Sequence, residues 1–152
     1  ANQVVISGEA SVLPEVERRC KELLGEAKAC RFVKLNVSAP FHSRFMKKIE
    51  KPFAEVLAKF SGSFDAGNAS KVTSNYQGSF HEESVDAIIV NLVSQLSNSV
   101  RWRDNMQALA GRAQKIYEIG PGRPLRDFFK TIGVACESVT SLSAAEKVFA
   151  AG

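Results

Sequence analysis

Apolar and polar positions follow two rhythms along this chain, and each rhythm predicts an element. Gln3–Ser7 (QVVIS) is a β-branched run closed by Gly8, which reads as a strand. From about Pro14 to Leu24, Val16, Cys20, Leu23 and Leu24 share one helical face, with Pro14 in the first turn and Gly25 at the exit. Arg31–Val37 (RFVKLNV) carries Phe32, Val33, Leu35 and Val37 and reads as a second strand. Strand, helix and strand in this order predict a split β-α-β unit. Phe45, Ile49, Phe53, Val56, Leu57 and Phe60 then line one helical face, and Pro52 within it predicts a kink or break. Residues 61–84 are rich in Ser, Gly and Asn and read mostly as loop, with room for a short strand at Val72 and Thr73. A helix over about Ser84–Leu96 turns Val85, Ile88, Ile89, Leu92 and Leu96 inward. Another over Val100–Ala110 is anchored by Trp102, Met106 and Leu109. KIYEIG reads as a buried strand, and GPGRPL as a turn into a helix carrying Leu125, Phe128, Phe129 and Ile132. VACESVT reads as a last strand. Strands and helices alternate, so the fold class is α/β.

Composition narrows the function more than the fold. A length of 152 residues suits one domain, and 45% hydrophobic with 24% charged residues is an ordinary globular balance. No apolar run approaches the roughly 20 residues of a membrane helix. The first residues, ANQVVISGEA, lack the basic and apolar regions of a signal peptide; the cytoplasm is the compartment expected from the cysteine usage. A net charge of +4 permits acidic or phosphorylated partners. The basic residues are scattered and not interleaved with stacking aromatics, so no nucleic acid is expected. Cys20, Cys30 and Cys136 are odd in number and widely spaced, which argues for reduced thiols rather than a disulfide framework or a zinc knuckle.

The first candidate for chemistry is His42, in the string SAPFHS. A lone histidine is more often a packed or surface residue than a base. Here it directly follows a predicted strand and precedes a predicted helix, which puts it at the sheet edge where α/β proteins bind ligands. A neutral imidazole there can accept a proton near neutral pH. Ser43 reads as the N-cap of the following helix. EIGPGRPL has two readings, a phosphate cradle at a helix start or a sharp structural turn. It carries neither the Walker pattern nor GxGxxG, which favours the turn. Lys47, Lys48, Lys51, Arg123, Arg126 and Lys130 form either a solvated face or an attractor for an acidic or polyphosphate partner. His81 reads as exposed in a polar loop. No His, Cys, Asp and Glu group has metal-ligand spacing, so neither a metal nor a resident cofactor is expected.

Five stretches together resemble one family: NQVVISG, VSAPFHSRFM, VTSNYQG, LVSQLSNSVRW and YEIGPGRPL. In order and spacing they are similar to the malonyl-CoA:acyl carrier protein transacylases and the related acyltransferase domains of polyketide synthases. SNYQG and EIGPGRPL look most like the free-standing acyltransferases that serve polyketide synthases in trans. The resemblance implies a ping-pong reaction in which a serine in a GHSxG elbow attacks malonyl-CoA. The malonyl group then passes to the phosphopantetheine thiol of an acyl carrier protein. His42 aligns with the histidine that takes the serine's proton. Gln95 aligns with the glutamine whose main-chain carbonyl holds that histidine's other ring nitrogen. Phe41 stands where malonyl-type members carry a bulky ring that narrows the pocket, so malonyl is the expected acyl group. Pro40 in place of Ala, and Asn98-Ser99 in place of Ser-Pro, depart from the family pattern.

No GHSxG occurs in these 152 residues, nor do the family's malonate-binding arginine and oxyanion-hole residues. The resemblance therefore implies the C-terminal half of a transacylase, with its N-terminal half as a missing partner. Residues 1–37 would be part of a small ferredoxin-like subdomain and residues 38–152 the C-terminal part of an α/β-hydrolase-like core. Such a fragment is expected to be inactive alone. Two rivals keep part of this reading: an acyl carrier protein acyl hydrolase of the same fold, and a non-catalytic docking fragment for carrier protein.

Overall fold

The computed structural model describes residues 3–25 and 31–150; Cys30 lies outside them. It is a mixed α/β arrangement of helices around a small parallel sheet.

The first helix, α1 (Leu13–Leu24), forms where the periodicity places it, with Pro14 in its first turn and Gly25 closing it at φ +65°. Arg18 pairs with both Glu15 and Glu22 along its surface. The two predicted flanking strands are not formed. Gln3–Ser7 and Arg31–Val37 share no strand ladder with any described residue and leave Val4, Val5, Val33, Leu35 and Val37 exposed. A strand is defined by the ladder it shares, and β-branched composition supplies a preference without supplying a partner.

After a 3₁₀ turn at Arg44–Met46, α2 (Lys47–Lys59) runs through Pro52 without a break. An interior proline costs roughly 3 kcal/mol in a free helix. Here α2 packs along α4 (Val85–Ser94), and that contact holds the helix together across Pro52. Between them, the expected loop contains a 3₁₀ turn at Ser61–Ser63 and the single-turn α3 (Ala66–Ala69), capped by the Asp65 carboxylate on the Asn68 N–H. The short strand expected at Val72 and Thr73 is a single antiparallel bridge between Thr73 and Phe80.

The predicted helix over Ser84–Leu96 is α4, shorter at its C-terminal end, with the Ser84 hydroxyl accepting from the Ala87 N–H as the cap. The next, α5 (Trp102–Arg112), supplies Met106 to a core shared with Phe129 and Cys136. Trp102, Leu109, Ile116, Phe128, Ile132 and Val134 pack around it. Strand β1 (Tyr117–Ile119) and strand β2 (Glu137–Val139) run parallel, joined through α6 (Pro124–Lys130). This is the βαβ solution to joining parallel strands. A final helix, α7 (Leu142–Phe149), follows β2, where the sequence reading ends on a strand. Ser141 caps it and Phe149 meets Tyr117 edge to face. No described helix is long and apolar enough to cross a membrane.

Candidate active site

His42 does not follow a strand. It occupies a loop in the left-handed region, φ +61°, the only non-glycine described residue with positive φ. That conformation costs an L-residue roughly 1–2 kcal/mol, so something must hold it. The holder is the end of α4. The last carbonyls of a helix have no partner within it. Two carbonyls at this terminus are taken by His42: its backbone N–H donates to the Leu96 oxygen at 3.0 Å, and its ring Nδ1 stands 2.8 Å from the Gln95 oxygen. A carbonyl only accepts, so Nδ1 carries the ring proton. Nε2 then keeps its lone pair, and it bonds to no described residue. The ring is exposed. The negative end of the α4 dipole thus faces an imidazole that becomes positive when it takes a proton.

The loop leading into this site is pinned from two sides. Ser7 Oγ donates to the Phe41 carbonyl at 3.0 Å. Ser43 is extended at the start of the 3₁₀ turn but does not cap it. Its hydroxyl turns back and donates to the Pro40 carbonyl at 2.6 Å. That short-range bond competes successfully with the cap. Phe41 is 44% exposed beside His42. On the far side, Ser97 donates to Glu50, which also pairs with Lys47 at 2.7 Å and joins α2 to the turn after α4. The Lys47 ammonium, then the Ser97 hydroxyl, hold the Glu50 carboxyl below its ordinary range. Of the basic residues noted in the sequence, Lys47 and Arg126 are engaged in ion pairs, and Lys48, Lys51, Arg123 and Lys130 are exposed.

Gln95 is brought to His42 through its backbone. Its side chain is used separately: Asn75 Nδ2 donates to Gln95 Oε1 at 3.2 Å, and Asn105 Nδ2 donates to Asn75 Oδ1 at 3.3 Å. Sequence reasoning passed over Asn75 and Asn105. The asparagine in SNYQG was a visible signal, but nothing in the spacing shows what it touches.

The other candidates resolve as structure. Glu118 in β1 is buried, and its two carboxylate oxygens accept from the backbone N–H groups of Leu125 and Arg126 at 2.9 and 3.0 Å. The amides at the start of α6 are therefore already occupied, and EIGPGRPL is the structural turn. Burial raises the Glu118 pKa, but these two donors and the Ser138 hydroxyl outweigh it and bring the carboxyl below its ordinary range. His81 is half-buried rather than exposed. Its Nδ1 lies 3.1 Å from Asn91 Nδ2, and burial lowers its pKa. A cavity of about 110 Å³ lies between α5, α6 and β1, lined by Trp102, Asn105, Met106, Glu118 and Phe129. His42 does not line it, so the histidine and the cavity are separate features.

No protein-family model matches the chain. Named relatives do. The polyketide biosynthesis malonyl CoA-acyl carrier protein transacylase BaeC of Bacillus velezensis is 30% identical over 125 residues, covering 82% of this chain and 40% of the relative. The polyketide biosynthesis protein PksE of Bacillus subtilis is 32% identical, over 91% of this chain and 17% of the relative. The malonyl CoA-acyl carrier protein transacylase of Staphylococcus aureus is 32% identical, over 86% and 40%. A solved complex of a type II polyketide acyl carrier protein with its malonyl-transacylase superposes with a TM-score of 0.75 at 27% identity, covering 95% of this chain and 45% of that one. The chain thus spans at most about two-fifths of the length of these curated relatives. Along most of its own length, it is related in sequence and fold to the malonyl CoA-acyl carrier protein transacylases and their polyketide-biosynthesis counterparts.

Proposed function

We propose that this chain supplies the general base, His42, of an acyltransferase that moves malonyl from CoA to the phosphopantetheine thiol of an acyl carrier protein. One observation carries the reading. His42 is strained, exposed, and bonded through Nδ1 to the Gln95 carbonyl, which leaves Nε2 with its lone pair and without a described partner. The Gln95 carbonyl does the orienting work that a carboxylate does in a three-residue triad. The nucleophilic serine comes from outside these 152 residues, in an N-terminal half that the relatives' greater length accommodates.

Each half-reaction balances on this one nitrogen. As the serine oxygen bonds to the thioester carbon, Nε2 takes its proton. The C–S bond then breaks, and the imidazolium returns the proton to the departing CoA sulfur. In the second half the carrier thiol gives its proton to Nε2 and attacks the serine ester. The C–O bond breaks and the serine recovers its hydrogen. The chemistry needs no resident cofactor. Phe41 beside the base narrows the acyl pocket and favours malonyl over its α-methyl analogue. In this reading β1, α6 and β2 belong to a hydrolase-like core over residues 38–152. Residues 1–37 belong to a ferredoxin-like subdomain whose strands find their ladders in the rest of the protein. The working compartment is the cytoplasm.

The test is transfer of labelled malonyl to carrier protein by the intact enzyme and by its His42→Ala variant. The expected loss is at least a hundredfold, the scale of a positioned base. Near-normal transfer by the variant overturns the assignment. Release of free malonate without carrier labelling would instead make the enzyme a hydrolase.

A further inference from the structure

We infer that Asn75 and Asn105 are positioning residues for the His42 base, acting through the side chain of Gln95; this rests on the reading of His42 given above. The backbone carbonyl of Gln95 holds the imidazole, and its direction depends on how the end of α4 is anchored. That end frays unless side chains tie it down, because its last carbonyls have no partner within the helix. The tie is visible. Asn105, 2% exposed in the core-facing side of α5, donates to Asn75 at 3.3 Å, and Asn75 donates to Gln95 Oε1 at 3.2 Å. Asn75 is itself fixed at its backbone, where its carbonyl accepts from the Arg101 N–H at 2.8 Å just before α5. The loop around it is closed by Ser74, 2% exposed, whose hydroxyl accepts from the Tyr76 and Gln77 N–H groups. A chain of amides thus runs from the interior of α5 to the residue whose carbonyl grips His42. Of the three amides only Asn105 is buried; its Oδ1 has no partner and its Nδ2 is spent on Asn75, so the one bond this buried amide makes runs along the chain toward Gln95.

The readout is the tautomer of His42, measured by nitrogen-15 NMR on histidine-labelled intact protein at about pH 9, where a free imidazole is neutral. A His42→Gln variant assigns the resonances. The expected wild-type signal is dominated by the form protonated at Nδ1. Asn75→Ala should lower the ratio of that form by about fivefold, the factor one ordinary hydrogen bond supplies. Asn75→Asp should restore it, because the carboxylate accepts from Asn105 and from a Gln95 amide turned over to present its NH₂. If Asn75→Ala does not fold, Gln95→Met removes the side-chain amide while keeping the carbonyl and should lower the ratio equally. An unchanged ratio in a folded Asn75→Ala or Gln95→Met protein overturns the inference and leaves the base assignment standing. An equal loss in Asn75→Asp also overturns it. A wild-type protein without the Nδ1 preference sinks the base assignment itself.

Discussion

His42 Nδ1 and the carbonyl oxygen of Gln95 lie 2.8 Å apart across 53 residues of sequence. The contact sets which ring nitrogen carries the proton and which way the free nitrogen faces. It also compensates a left-handed backbone at a residue that has a Cβ. The proposed base and local backbone strain meet at one position, as expected where a site is held by its surroundings rather than by its own preference.

That strain can be measured separately from catalysis. His42→Gly and His42→Ala both remove the imidazole, but only glycine relieves φ +61°. The glycine variant should be the more stable by about 1 kcal/mol in urea titration, the reverse of the usual order at ordinary backbone angles. Under the proposed function, both variants of the intact enzyme should lose malonyl transfer alike.

Gly78 should tolerate no side chain. It sits at φ +72°, and an added Cβ would lie 2.7 Å from the Asp104 Cβ and 3.0 Å from the Arg101 Cβ. Gly78→Ala should cost about 2 kcal/mol or more in chemical denaturation. It should also perturb the amide signal of Asn75, since both belong to the turn packed on the start of α5.

Acid should weaken the fold in two steps. The lowered His81 pKa means the unfolded chain binds more protons, so stability falls as pH drops below the ordinary 6.5 toward the folded value. Protonation also costs the Asn91 bond, which needs an unprotonated Nδ1. Glu118 and Glu50 are likewise lowered, so their contribution is full above the ordinary 4.5 and is lost as pH falls through their folded values. Thermal midpoints should be level from about pH 8 to 7, decline below 6.5 and decline again below 4.5. His81→Gln should erase the first step and spare the second.

Cys136 should be slow to alkylate. It is buried in the core, and burial, reinforced by the Glu118 carboxylate, raises its pKa. Peptide mapping after limited iodoacetamide treatment should find Cys20, half-buried on α1, labelled before Cys136. Faster labelling of Cys136 would mean that the α5–α6 core opens readily.

What the residues alone made legible follows from local periodicity. Val85, Ile88, Ile89 and Leu92 mark α4, and Trp102, Met106 and Leu109 mark α5, because a helix satisfies its backbone within the segment. Gln3–Ser7 and Arg31–Val37 form no ladder among the described residues for the complementary reason, since a strand's hydrogen bonds belong to its neighbour. Of the kink or break that Pro52 forecast, packing on α4 overrides the break. For the site, SAPFHS pointed to His42, and family likeness paired it with Gln95.

By itself, then, the sequence determined the longer helices α1, α2, α4 and α5 with α6, though not α3 or α7, together with the kinship with transacylases and the identity of the candidate base. Only the tertiary structure decided the left-handed turn at His42, its grip on the end of α4, and the amide chain through Asn75 to Asn105. The physical reason is direction. A residue's type states what bonds it can make, but a hydrogen bond between positions 53 residues apart exists only once packed helices have aimed the two groups at each other.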